Sequence, residues 1–393
     1  MKKKILILGG NNFFLSIIKV AKKLNYKVIA IDKNNNSIAK YYADEFYNLD
    51  FSKSEKVLNF AKKNRILGIT THQSDAGVKT VGYVNSKLKL VGPTNRLAQI
   101  CSNKVNTRQF LNKKINQPKF KIIDDLNKVK LYTNYIGFPC IIKPSMSSGS
   151  RGIEIFKSLK DLKKISFLKK YYKNTEFILE KFINGIEFGA QVLVLNGKTK
   201  KVFTHNDIFL NKKTPVPIGH SFPSKLSKKS IIKLKIYIDK IVKILKIKNS
   251  ILNLDFILGK DKKIYLLEIG LRSGATCIPD LIMEHSGINW EEIIIKMSMG
   301  EKIRDAELLN KKNIPVAGEV LLSKKSFFLK KMILPSEVNK NLIKIQLDKK
   351  ASFKVKKFKN GTDRFGYILV KEKSVKKAEK LCKKIKNKIK FVN

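Results

Sequence analysis

The chain has 393 residues, with 82 Lys and Arg against 31 Asp and Glu, for a formal net charge of +51. That length accommodates two or three domains with real cores, and an apolar content of 43% suits a globular protein. No apolar run approaches the roughly 18–20 residues that span a bilayer, which excludes a membrane-spanning segment. The lysines are spread over the whole chain among Ile, Asn and Phe. This points to compositional drift and solvated lysine faces, not to a selected nucleic-acid or membrane patch. Cys101, Cys140, Cys277 and Cys382 lie far apart, with no CxxC and no disulfide rhythm, which reads as a reduced, cytoplasmic protein. The opening Met1–Gly10 is too short for a signal-peptide core and reads as a first buried strand.

In chain order, Lys4–Leu8, Lys27–Asp32 and Ile66–Thr71 read as strands, alternating with helices at Phe14–Leu24 and Ser54–Asn64. Such alternation implies a parallel sheet covered by helices. Gly9-Gly10 permits a tight turn but is not a GxGxxG fingerprint, so Asp32 reads more readily as a turn cap than as a ribose-binding acid. Val91–Asn95 is a turn cluster and a first boundary, followed by a helical stretch at Arg96–Leu111. Pro139–Lys143, Phe177–Phe182 and Phe188–Leu195 read as strands and Leu226–Leu245 as a long helix. Ala317–Leu322, Leu342–Leu347 and Tyr367–Val370 suggest a final antiparallel sheet, closed by an amphipathic helix at Ser374–Lys390.

Two segments carry chemistry. Ile251–Leu258 and Ile264–Leu267 flank the polar turn Gly259–Lys263 and read as a β-hairpin. A four-residue loop pairs 259 with 264, 258 with 265, and finally Asp255 with Glu268. Opposed like charges are destabilising, so the pair calls for a cation, and a hard oxygen-ligated ion such as Mg²⁺ fits. Alternation puts Glu268, Gly270 and Arg272 on one face. The second segment, Ile141–Ile153, joins a buried strand and Lys143 to the hydroxyl- and glycine-rich loop Ser145–Gly152. Small residues let backbone amides approach phosphate oxygens, and the lysine adds a point charge. It is not a Walker loop, because the lysine precedes the glycines; an ordinary flexible turn is the competing reading. Ser74 and Asp75 sit after the third strand, where an open α/β sheet places its ligand-facing loops, although helix capping explains them as well. His72, His205 and His285 show no metal-ligand spacing.

Taken together, the order and spacing of these segments resemble the ATP-grasp superfamily, specifically its carboxylate–amine ligases and biotin carboxylase-like members. The resemblance implies an α/β protein, α+β in its ATP-grasp part. A Rossmann-like preATP-grasp domain would span residues 1–97, a two-subdomain ATP-grasp domain 98–305, and a small α+β subdomain 306–393. It implies that Lys104, Lys143 and the loop residues Ser147, Ser148, Gly149, Ser150 and Gly152 meet ATP phosphates. Adenine would lie at Glu180, Lys181 and Ile183, and the ribose at Glu187. Asp255 and Glu268 would hold Mg²⁺, with Mn²⁺ able to substitute, and Arg272 would bind a substrate carboxylate or acyl phosphate. His220 resembles a residue bordering the substrate; a core or surface histidine is the alternative. Many members carry Asn where this chain has Gly270, which leaves one metal or two open. The implied reaction is ATP-dependent activation of a small carboxylate for attack by an amine or similar nucleophile. No membrane or specific nucleic-acid partner is implied, and a homodimer is admitted. A carboxyl-phosphate-forming enzyme of the biotin carboxylase or carbamoyl phosphate type is one alternative; a non-catalytic nucleotide sensor or polyanion-binding protein is another.

Overall fold

A computed structural model describes residues 2–147, 151–172, 174–211, 214–335, 340–348, 352–359 and 363–392. Ser148, Gly149 and Ser150, expected to cover phosphates, lie outside the described residues. Three sheets organise the chain. The first is parallel, in the order β3-β2-β1-β4, from β1 (Lys4–Leu8), β2 (Lys27–Asp32), β3 (Glu45–Asn48) and β4 (Gly68–Thr70). Residues 5–8 of β1 are fully buried, as expected of a parallel strand covered on both faces. Strand order reverses between β1 and β4, and a crevice outside the carboxyl ends of the strands at such a point is where α/β sheets bind ligands. Asp32 accepts from the amides of Gly10 and Asn34, each at 2.9 Å. It therefore caps the turn.

The second sheet is antiparallel, in the order β5-β8-β6-β7, from β5 (Phe120–Ile123), β6 (Cys140–Pro144), β7 (Glu154–Phe156) and β8 (Phe177–Lys181). The third has eight antiparallel strands. Its first six are β9 (Gly185–Leu195), β10 (Lys198–Asn211), β11 (Thr214–Phe222), β12 (Ser250–Gly259), β13 (Ile264–Gly270) and β14 (Val316–Leu321). The order β13-β12-β9-β10-β11-β14 continues into Gly366–Lys371 and then Leu342–Leu347. The helix Lys228–Leu245 buries Leu234, Ile238, Ile241 and Leu245 in the core beneath β9 and β12.

Three local expectations need correction. The helical stretch Arg96–Leu111 is two helices, Asn95–Cys101 and Lys104–Leu111. Asn103 interrupts it by adopting extended backbone and accepting the amides of Val105 and Asn106, the behaviour of an N-cap. The segment between Leu195 and Leu226, given no element above, is the long β10–β11 hairpin, with irregular register around Ile208–Asn211. The β12–β13 pairing is also one residue off at its turn: Leu258 faces Ile264, and Phe256 faces Leu266. That register alone would set Leu267 against Asp255 and turn Glu268 to the opposite face. A bulge at Leu267 absorbs the extra residue and restores Asp255 opposite Glu268.

Candidate active site

The site lies on one face of the eight-stranded sheet, with the four-stranded sheet and the β1/β4 crevice facing it. Asp255 on β12 opposes Glu268 on β13 and Gly189 on β9. Gly189 in turn opposes His205 on β10. Two residues along, Asp207 opposes His220 on β11. Alternation therefore places Glu268, Asp255, His205, Asp207 and His220 on the same face. Burial pushes the Asp255 carboxyl up to about 8, with the charges of Asp207 and Glu268 adding to the rise. Glu187 is likewise raised by burial and by Asp207, against the pull of Lys143. Such an accumulation of acids suits a hard divalent cation held by Asp255 and Glu268. Asn253, opposite Gly270 in register, donates from Nδ2 to Asp255 Oδ1 at 3.1 Å.

Lysines approach these acids from two directions. Lys104, the first residue of its helix, reaches Glu268 Oε1 at 3.1 Å and the Ser147 carbonyl at 2.7 Å. Lys143 projects from β6 to Glu180 Oε2 at 2.8 Å. Glu180 is fully buried on β8, and its other oxygen accepts from Arg108 Nε at 2.6 Å. Burial alone would raise the Glu180 carboxyl, but Arg108 and Lys143 overcome it and hold the group at about 2. The side chain expected beside adenine is thus committed to an ion triad. Of the two backbone contacts expected nearby, the Lys181 amide is bonded to the Lys119 carbonyl at 2.8 Å. The Ile183 amide has no hydrogen-bond partner among the described residues. Gly152 has φ +72, and a Cβ there would meet the Tyr172 ring at 2.6 Å, so this end of the loop requires glycine.

Arg272 extends from the end of β13 to the β1/β4 crevice. Its Nε and Nη2 donate to the two oxygens of Asp75 at 2.9 and 2.8 Å, and Nη1 to the Ser273 carbonyl at 3.0 Å. This side-on fork leaves the far end of the guanidinium for a ligand oxygen. Burial works against ionised Asp75, but Arg272 keeps its carboxyl below the ordinary value. Helix capping does not explain Ser74 or Asp75: the next helix, Val78–Leu88, is preceded by Gly77 and has no side-chain cap. A Cβ on Gly270 would sit 3.3 Å from Arg272 Cζ. The missing asparagine therefore leaves room for this arginine.

The fold also brings His220, expected to border the substrate, together with residues that had no sequence signal of their own. His205 and His220 direct their Nδ1 atoms at Asp207 Oδ1, at 3.1 and 2.8 Å. Burial would raise Asp207, yet these bonds keep it far below its ordinary range. Gln191 links the group to Asn253 through a 2.6 Å bond. Arg364 packs its guanidinium 3.8 Å from the Phe13 ring centroid. Burial lowers its pKa, with Asp348 the foremost charge opposing the shift, and it has no hydrogen-bond or ion-pair partner among the described residues. Arg108 had one legible cue. It lies one turn after Lys104 on a short helix whose neighbouring positions, Val105 and Leu111, are buried.

Comparison with known proteins agrees with this architecture. Residues 136–280 match the model of the ATP-grasp domain. The formate-dependent phosphoribosylglycinamide formyltransferase of Methanococcus vannielii is 26% identical over 223 residues, covering 56% of this chain and 54% of that protein. The chain spans about half the length of the curated relatives it matches. Phosphoribosylglycinamide synthetase from Anaerococcus prevotii superposes with a TM-score of 0.82 at 28% identity, covering 100% of both chains. L-amino acid ligase from Bacillus licheniformis gives 0.83 at 17% identity over 100% of this chain and 98% of that one, a likeness of fold alone. The matched model thus identifies residues 136–280, which carry β6 to β13, as an ATP-grasp domain.

Proposed function

We propose that the protein is an ATP-dependent ligase that activates a small-molecule carboxylate as an acyl phosphate and passes it to an amine. The observation carrying this reading is the convergence of Lys104 on the Asp255–Glu268 pair, 3.1 Å from Glu268, with Arg272 at the end of the same strand. The nucleotide would lie between the four- and eight-stranded sheets, its phosphates drawing Lys104 and Lys143 from their carboxylate partners. Asp255 and Glu268 would hold Mg²⁺, which supplies charge neutralisation of the phosphates when bound. Arg272, oriented by Asp75, presents its free N–H groups to the carboxylate under attack. This is positioning and electrostatic stabilisation, the main resources for phosphoryl transfer. Arg364, half-buried and without a hydrogen-bond or ion-pair partner among the described residues, offers a second cation for an anionic group on the other substrate. A cytoplasmic setting suits four unpaired cysteines.

The test is a screen for ADP and phosphate release with amino acids and small carboxylates paired with amines, in Mg²⁺ buffer. Turnover should fall at least 100-fold in Glu268→Gln and Arg272→Ala. Unchanged substrate-dependent turnover in both variants would remove the assignment. ATP binding without turnover across the panel would favour a sensor.

A further inference from the structure

The five-residue network on the sheet face fixes a proton. The Gly274 amide donates to Gln191 Oε1 at 2.8 Å, which sets the orientation of the Gln191 amide. Its NH₂ group donates to Asn253 Oδ1 at 2.6 Å and faces His205 Nε2 at 3.4 Å. His205 therefore accepts at Nε2 and carries its proton on Nδ1, which donates to Asp207. A metal ion at His205, Asp207 and His220 would require the Nδ1 lone pair that this tautomer lacks. His220 donates from Nδ1 to the same Asp207 oxygen at 2.8 Å, and its own Nε2 has no hydrogen-bond partner among the described residues. The close approach is built in: a Cβ on Gly189 would lie 2.2 Å from His205 Cε1.

We propose that His220, oriented by Asp207, is the general base that takes a proton from the attacking amine. This inference rests on the ligase reading above. An imidazole held by a carboxylate at Nδ1 has the tautomer and orientation of an acceptor at Nε2. The charged groups facing His220 are Asp207 and His205 from β10 and Arg364 from the C-terminal part of the chain. Gly318, opposite on β14, contributes no charge, and the buried Cys277 thiol lies against it. Burial lowers the His220 pKa and Asp207 opposes the shift, so the ring is neutral near pH 7. Arg364 is placed to hold an anionic group of the nucleophile beside this base. In the step, the amine lone pair forms the C–N bond to the acyl carbon. The C–O bond to phosphate breaks with its electron pair leaving on phosphate. The proton lost by nitrogen goes to His220 Nε2 and then to water.

Hydroxylamine separates this step from activation. It is largely unprotonated at neutral pH and traps acyl phosphates as hydroxamates without needing a base. The full chain with Mg²⁺, ATP and the standard L-amino acids, with and without hydroxylamine, is assayed for ADP, hydroxamate and amide product. In His220→Asn the ratio of amide to hydroxamate should fall about 100-fold and recover as pH rises and free amine accumulates. Asp207→Asn should move the ratio in the same direction by less. A ratio within threefold of wild type would overturn the proposal. So would a raised KM for ATP with the ratio unchanged, which marks a nucleotide contact. Wild-type protein giving neither ADP nor hydroxamate overturns the ligase reading itself. Nitrogen-15 spectra of the wild-type histidines test the premise without turnover: a neutral His220 protonated on Nε2 would also refute it.

Discussion

Arg108 is the residue whose removal tests the architecture most directly. Its side chain is 2% exposed, it neutralises Glu180, and its Nη2 donates to the Leu267 carbonyl at 2.9 Å. Leu267 is the bulge residue that restores Asp255 opposite Glu268. One guanidinium thus joins the strand carrying Glu180 to the irregularity that aligns the acid pair. Breaking a buried pair from one side costs about 3–5 kcal/mol, and an unsatisfied buried carbonyl adds about 1–3. Lys143 remains beside Glu180 and offsets part of this, so Arg108→Leu should lose about 3–5 kcal/mol. The titration of Glu180 gives an independent figure. Its carboxyl falls from 4.5 to about 2 on folding, worth roughly 3 kcal/mol at about 1.4 kcal/mol per pH unit. A depressed acid stabilises above its unfolded pKa, and that contribution is lost as pH falls from about 4 to about 2. Urea unfolding followed by the single, buried Trp290 measures the change. Arg108→Leu/Glu180→Gln should recover about half the loss, because the uncompensated charge is removed while Lys143 keeps a partner. A loss below about 1 kcal/mol, or no recovery in the double variant, would refute the reasoning.

Other perturbations follow from the same geometry. Asp255, raised to about 8, has the opposite sign: its ionisation opposes folding progressively from about pH 4 to about pH 8 in metal-free protein. Asp255→Asn should therefore raise the metal-free Tm at pH 7 by several degrees and abolish any further rise with Mg²⁺; a lower Tm would contradict the assignment. Asn103→Ala removes the side chain that accepts two helix amides and should cost about 1 kcal/mol, with weaker binding of an ATP analogue as Lys104 shifts; calorimetry on both variants checks this. Gly189→Ala drives a methyl into the His205 ring and should cost about 1–3 kcal/mol, relieved by His205→Ala. An absence of relief would show that the strand, not the ring, is the obstacle.

Much of the architecture was legible because it rests on short-range patterns. The apolar runs of β1, β6 and β12 and the Gly-bearing turns mark strands wherever they pack. The Asp255–Glu268 opposition was legible for a different reason. A four-residue turn predicted it, and although that register is one residue off, the bulge at Leu267 cancels the slip and leaves the two acids opposed. The bulge at Leu267 was not legible, because it is fixed by Arg108, 159 residues away in sequence. The Glu180 triad escaped for the same reason: the hinge glutamate is read locally as a nucleotide contact, and only the fold delivers Arg108 and Lys143 to its two oxygens. Histidines 205 and 220 lack ligand spacing along the chain, and only the β10–β11 pairing, which sets Asp207 opposite His220, brings both to one carboxylate.

The distribution of charge explains how one surface would serve both a cation and an anion. In a chain of net charge +51, Glu187, Asp207, Asp255 and Glu268 gather on a single sheet face, where burial, with repulsion from neighbouring acids added to it, raises the carboxyls of Asp255 and Glu187. The lysines that would neutralise a triphosphate are already held by carboxylates, Lys104 by Glu268 and Lys143 by Glu180. A metal–nucleotide complex brings both missing partners together: the cation relieves the acids, and the phosphates receive the lysines those acids release. Neither half relieves the face alone. A free anion meets the acids, and a free cation leaves the lysines without their partner. Nucleotide and metal should therefore bind cooperatively here, each strengthening the other by the same factor. The surrounding positive field adds a salt-dependent attraction for the anionic complex, so raising ionic strength should slow its capture more than its release.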